Sequence, residues 1–313
     1  MMFLRAYTQV FRYTLLAMLF SPFFFKWFYF SLLVMLFGSA FLLIEISLKS
    51  FSPIFIAFSR VTIAAIFLYI YALYKAFSFN FVKKNFILLF ILGMSGTSLP
   101  FFLISWAQIT INSSQTGVLI GFMPIFTIIG SHFYFRYESL NIYKSIGFFL
   151  GFIGLTILFF DNEQSTNVFD DLTAKIAVIL GAFFYALNAL LVKKISNINP
   201  IPLSASVMII SSVQLLVGLL LFGDGKYYSE TISLSSVISL SIMAIFSTAI
   251  ATVLYYKIIH DYGPNFLSLV NYPIPIFAFF IGVIFLSEDI SIYSIISLSL
   301  VISGVYLSQK NTS

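Results

Sequence analysis

Glu45 and Arg60 are charged residues set inside long apolar runs. A charge at such depth costs at least about 2–3 kcal/mol, so it is retained for a partner or for work. Both fall near the outward ends of neighbouring runs. One reading is a structural ion pair between them; the other makes Glu45 a group that takes up a proton or contacts a cationic ligand. Pro124 and Pro275 stand at the centres of two further runs. A proline there removes a helical hydrogen bond and frees a carbonyl at mid-depth. Paired breaks of this kind point to a binding site between them, with packing kinks as the plain alternative. Asn271, close to Pro273, adds an amide beside the second break. Tyr185, Asn188, Gln108, Trp106 and Tyr255 are polar or amphipathic groups able to face a cavity. An aromatic belt at the membrane surface explains Trp106 and Tyr255 equally well.

Other chemistries are poorly served. With no cysteine and two histidines, His132 and His260, the chain has no means for disulfides, cysteine-based zinc sites or iron–sulfur clusters. Asp170-Asp171 is a lone acidic pair, without the second acidic motif that a metal-dependent membrane prenyltransferase needs. No Walker-type glycine loop appears, so this chain does not itself drive a pump with ATP. There is no run of arginines at every third position for voltage sensing, and no filter-like signature of a channel. The expectation is a non-enzyme with no cofactor and no metal.

These candidates sit in a chain of 313 residues of which 60% are hydrophobic and 9% charged. Soluble domains carry about 25% charged residues, so the solvent for this surface is lipid. The basic residues fall in short clusters between apolar runs and form no face that could track phosphates, which argues against nucleic acid. The 60 aromatic residues, 40 of them Phe, accompany much Ile, Asn and Lys, and composition alone explains them.

A membrane span takes about 20 apolar residues. Ten runs qualify, at about 29–48, 54–74, 86–107, 114–135, 143–160, 174–193, 203–222, 235–257, 264–286 and 291–307. Residues 1–28 read as a cytoplasmic or interfacial segment, in which Pro22 and Lys26 interrupt a short apolar stretch. An eleventh span there is the alternative. With the N-terminus inside, twelve Lys and Arg residues fall on the cytoplasmic side and three outside. Both termini are then cytoplasmic and the 161–173 loop external.

The chain also repeats itself. Asn112 through Pro124 to Glu138 resembles Tyr262 through Pro275 to Glu288, at an offset of 151 at the prolines and 150 at the glutamates. Gly154 and Gly304 are 150 apart, and Gly96-Thr97 has a counterpart 151 residues on in Ser247-Thr248. Each unit holds five spans, an odd number, so the two copies enter the membrane with opposite polarity. The fold expected is all-α and integral to the membrane, with ten transmembrane helices as two inverted five-helix repeats. Residues 29–160 form the first, 161–173 an external linker, 174–307 the second and 308–313 a cytoplasmic tail.

These same residues carry a resemblance. Pro124-Ile-Phe, then Glu138, then Gly147, Gly151 and Gly154, together with Pro275-Ile-Phe-Ala, Glu288 and Gly304, resemble the EamA branch of the drug/metabolite transporter superfamily. Leu36-Phe-Gly-Ser-Ala40, and Ser52-Pro53 followed by Arg60, resemble its opening. The chain departs from the pattern at Phe37, where the family usually has Trp, and at Ser297, which replaces a glycine. The resemblance implies a secondary transporter with a central cavity in the bacterial inner (plasma) membrane. It would move an amino-acid-, nucleoside- or drug-like metabolite by alternating access, by export or exchange. Its partners would be a small-molecule substrate and membrane lipid, with a homodimer left open. A non-transporting membrane scaffold and, behind it, a membrane-embedded enzyme are the alternatives.

The charge asymmetry generates a test of orientation. A fluorescent protein fused at Ser313 should be bright and an alkaline phosphatase fused there inactive; the opposite pair of signals overturns cytoplasmic termini.

Overall fold

Backbone amides in an apolar medium must bond within the protein, and a helix does this locally. The computed structural model describes residues 22–133, 142–159, 168–195, 197–223, 231–262, 266–267, 270, 273–286 and 291–308, and among them every regular element is helical. The helices are α1 (Pro22–Leu48), α2 (Pro53–Tyr74), α3 (Phe81–Ala107), α4 (Ser113–Ile120), α5 (Met123–Phe133), α6 (Ile142–Phe159), α7 (Val168–Val192), α8 (Pro200–Phe222), α9 (Leu234–Tyr262), α10 (Pro273–Leu286) and α11 (Ile292–Ser308). The Pro, Asn and Ser clusters between apolar runs are helix starts. Ser52 accepts from Phe55 N–H (3.4 Å) with Pro53 next, and Asn112 accepts from Gln115 N–H (2.8 Å). Asn199 accepts from Ile201 N–H (3.0 Å) ahead of α8, and Ser233 from Ser236 N–H (3.2 Å) ahead of α9. Each cap satisfies one of the four amide donors that a helix end leaves over.

Six helices are long and apolar enough to cross a membrane: α1, α2, α3, α7, α8 and α9. The protein is therefore a multi-pass membrane protein. Other expected spans are shorter among the described residues. The run at 114–135 is split at Gly121-Phe122 into α4 and α5, because the chain turns there before Met123-Pro124 starts a new helix. The run at 264–286 is represented by α10, of 14 residues. α1 begins at Pro22, seven residues before the expected start. Pro22 and Lys26, which the sequence reading takes as interruptions, both lie within the described helix. Residues 1–21, the 161–167 part of the linker, Glu138 and Glu288 lie outside the described residues.

The pattern of burial is that of a protein in lipid. Phe222 (82% exposed), Tyr74 (79%) and Ile87 (76%) point outward, while Ser47, Ser204, Ser211, Ser297 and Thr248 are enclosed. Some enclosed hydroxyls bond back along their own helices, as Ser204 does to Pro200 O (2.7 Å) and Ser47 to Leu43 O (2.7 Å), while those of Ser211 and Ser297 have no partner among the described residues. Small residues let the helices approach closely. A methyl on Gly154 of α6 would stand 3.0 Å from Ser297 O and 3.1 Å from Leu300 Cβ of α11. A methyl on Gly304 of α11 would stand 2.5 Å from Gly147 O and 2.9 Å from Gly151 N of α6. The contacts are reciprocal across residues 150 apart. α2 and α8 meet in the same way, through Thr62 and Ser212, whose hydroxyls lie 2.7 Å apart.

Two helices are not α-helical throughout. Met94–Ser98 in α3 and Met243–Ile250 in α9 are π-helical, each with one residue more per hydrogen-bonded turn. These are the stretches that hold Gly96-Thr97 and Ser247-Thr248.

Close glycine packing predicts an asymmetric response to added methyls. Gly304→Ala should cost about 1–3 kcal/mol and lower the melting temperature in detergent. Gly218→Ala, whose methyl would meet only Ile54 Cδ1 at 3.5 Å, should leave it unchanged.

Candidate functional site

A cavity of about 110 Å³ lies among the helices. α1 contributes Phe37, Phe41 and Ile44, α3 contributes Gly96, Thr97 and Phe101, and α7 contributes Tyr185 and Asn188. α9 adds Thr252, Tyr255 and Tyr256, while Ile120, Met123 and Ile274 close it at the α4–α5 break and at the start of α10. Arg60 of α2 completes the wall. The lining is mostly rings and aliphatic groups, with a few hydroxyls, one amide and one guanidinium, as ligand cavities usually are.

The π stretch of α3 lines this cavity through Gly96 and Thr97, that of α9 lies behind the lining residue Arg60, and each is held by a polar side chain from another helix. Asn188 Nδ2 donates to Leu92 O (3.0 Å) and, at 3.5 Å, to Ser95 Oγ. Its amide lies where a Cβ on residue 96 would stand, so only glycine fits there. Tyr255 OH donates to Asn188 Oδ1 (3.4 Å), which ties α9 to the same point. On the other side Arg60 Nε donates to Thr248 Oγ1 (3.0 Å), and that hydroxyl donates to Met243 O (3.0 Å), five residues back in the π turn. The Arg60 guanidinium lies 3.8 Å from the centroid of Phe101, a cation–π contact that partly offsets the loss of water.

The structure brings some sequence candidates together and disperses others. Tyr185, Asn188, Tyr255 and Arg60 line the cavity. Gln108 is buried below α1, where Nε2 donates to Phe41 O (3.0 Å). Trp106 is 40% exposed, on the outer surface. Pro124 and Pro275 are enclosed in the first turns of α5 and α10, and their neighbours Met123 and Ile274 reach the cavity in their place. The α4–α5 break does meet α10: Pro275 Cγ lies 3.0 Å from where a Cβ on Gly121 would be. Asn271 lies outside the described residues. Glu45 and Arg60 do not form the expected pair. Glu45 Oε2 accepts from Ser113 N–H (3.0 Å) at the positive end of α4, while Arg60 turns to Thr248 and Phe101.

Sequence reasoning passed over Phe101, Thr252 and the acceptor role of Thr248. The recurrence of Gly96-Thr97 at Ser247-Thr248 was the available signal, since it marks both π stretches. Phe101 and Thr252 had none.

Residues 24–160 and, separately, 172–309 match the profile of a family described as the EamA-like transporter family. An uncharacterized transporter of Archaeoglobus fulgidus is 26% identical over 283 residues, covering 90% of this chain and 98% of that one. A protein of Chlamydia muridarum named as an S-adenosylmethionine/S-adenosylhomocysteine transporter is 24% identical over 259 residues, 80% of this chain and 81% of its own. A solved crystal structure with 14% identity superimposes with a TM-score of 0.66 over 90% of this chain and 96% of that one, a likeness of fold.

Fit at residue 96 predicts a coupled pair of substitutions. Gly96→Ala and Asn188→Ala should each cost about 1–3 kcal/mol, the first by collision and the second by leaving Leu92 O without its donor. The double variant should be more stable than the sum of the two by at least about 0.5 kcal/mol, because the added methyl takes the place of the lost amide. Strict additivity in thermal melts would mean that the two residues do not meet.

Proposed function

The chain belongs to the EamA-like transporter family of the drug/metabolite transporter superfamily, and from that premise we propose that it is a secondary transporter working by alternating access. It is a transporter and not an enzyme, and it handles a small molecule. The mechanism proposed has two halves, 29–160 and 174–307, rocking about the cavity between them and releasing a small organic metabolite by export or exchange. In this reading the protein is a ten-helix inverted repeat in the bacterial inner membrane, with both termini cytoplasmic.

The observation that carries this reading is the cavity itself: a space among eight helices, lined by rings and by convergent polar groups, and flanked by two π stretches and the α4–α5 break. Irregular backbone inside a membrane is tolerated where it borders a cavity or is covered by protein. The two-half arrangement is supported by the reciprocal contacts of Gly154 and Gly304, by Thr62 meeting Ser212, and by the two separate matches to the family profile. The relative named for S-adenosylmethionine and S-adenosylhomocysteine makes those two compounds the first to assay.

Because the chain has no cysteine, access can be mapped directly. Single cysteines at Thr97 and Thr252 should react with a membrane-impermeant thiol reagent, with the reactive side changing as conditions favour one state or the other. A transported compound should protect both. A cysteine at Phe149, 63% exposed on the outer face of α6, should stay unlabelled. If Thr97 and Thr252 are as silent as Phe149 under every condition, the cavity never opens to water and alternating access is wrong.

A further inference from the structure

We propose that Arg60 is a substrate anchor, and that the compound carried has a single carboxylate seated on its guanidinium and an apolar or flat body held by the surrounding rings. The inference rests on the transporter reading and names the substrate class of the same cavity. Arg60 is 2% exposed, so its charge is far from bulk water, yet no carboxylate among the described residues is paired with it. Its one hydrogen bond is from Nε to Thr248, which leaves both terminal amino groups without an acceptor among the described residues. The acids within the described residues are engaged elsewhere or stand at the helix ends: Asp171 with Lys175 (2.7 Å), Asp261 with Lys257 (2.7 Å), Glu45 with Ser113 N–H, and Asp170 in the first turn of α7.

The group is also presented in a fixed pose. Thr248 holds one edge of the plane and Phe101 covers one face, so the edge carrying the two amino groups is oriented before any ligand arrives. That edge matches the two oxygens of a carboxylate, which accepts two parallel N–H bonds in the same plane. One cation balances one negative charge; a phosphate monoester, with nearly two near neutral pH, would remain half-compensated in an otherwise uncharged pocket. Phe37, Phe41 and Tyr255 offer rings to the rest of the molecule, and Tyr185 and Thr97 offer hydroxyls. A cationic substrate, the reading that Glu45 had suggested, would meet the Arg60 charge with no acid in the lining to offset it.

The test compares matched compounds on the full-length protein, by thermal shift in detergent and by flux into proteoliposomes. The pairs are 3-phenylpropionate with 3-phenylpropanamide, L-phenylalanine with L-phenylalaninamide, and S-adenosylhomocysteine with its methyl ester; phenyl phosphate is added alone. At least one acid should stabilise and move while its partner lacking the carboxylate does neither; only the first pair changes an anion into a neutral compound, the other two removing the carboxylate beside a retained ammonium. Arg60→Gln should weaken that acid by about tenfold or more while keeping the fold, and Arg60→Lys, which retains the charge without the fork, should fall between. Circular dichroism and size-exclusion profiles of both variants check that they fold. If the amide or ester is carried as well as its acid, if phenyl phosphate alone is carried, or if Arg60→Gln keeps the full preference for the acid, the anchor is refuted and the transporter reading stands. If none of these compounds stabilises or moves, the anchor falls as well, and the cysteine labelling at Thr97 and Thr252 then decides separately whether the cavity opens.

Discussion

Every amide of this chain that lies between lipid tails has to find its acceptor inside the protein, and that requirement governs the rest of the fold. It makes the described elements helices, and it places a capping Ser or Asn before α2, α4, α8 and α9. It also decides where the helices can be irregular. The π stretches of α3 and α9 and the break between α4 and α5 are all drawn to one region, where neighbouring side chains or the cavity take the place of lost helical bonds. Asn188 to Leu92 O and Thr248 to Met243 O are the two clearest cases.

Cohesion then has to come from something other than the avoidance of water, since the outside is as apolar as the inside. The chain uses fit. Glycines at 154 and 304 bring α6 and α11 to backbone contact, Gly117 does the same for α4 against Ala278 of α10, and small serines fill the seams, Ser204 with its hydroxyl bonded to its own helix. Such packing is rigid along each helix pair and leaves the space between pairs to be shaped by larger side chains, which is where the cavity lies.

How much of this was legible follows from what a one-dimensional pattern records. Apolar length and capping residues are visible, so α2 and α8 lie within a few residues of their runs, whereas α1 extends back through Lys26 to Pro22 and the 114–135 run is divided between α4 and α5. The repeat was visible because Pro124 and Pro275, Gly154 and Gly304 fall at nearly one offset. Facing was not visible. A helix such as α1 is apolar on every side, so nothing in its periodicity tells lipid from cavity, and Trp106 and Gln108 were placed toward a site they do not touch. Glu45 and Arg60 were paired because both sit near outward helix ends; their azimuths, which no count of residues provides, send one to the N-terminus of α4 and the other to the cavity.

Thr248 carries a consequence for how this chain can drift in sequence. Its oxygen accepts from Arg60 while its hydrogen goes to Met243 O, so both roles of the hydroxyl are taken at once. Valine has nearly the same shape and would fill the same volume, yet it would deprive a buried guanidinium and a main-chain carbonyl together. Serine would preserve both. Position 248 is thus closed to a neighbour by shape and open to one by chemistry, and any lineage that abandons Arg60 leaves residue 248 with the Met243 carbonyl alone to serve.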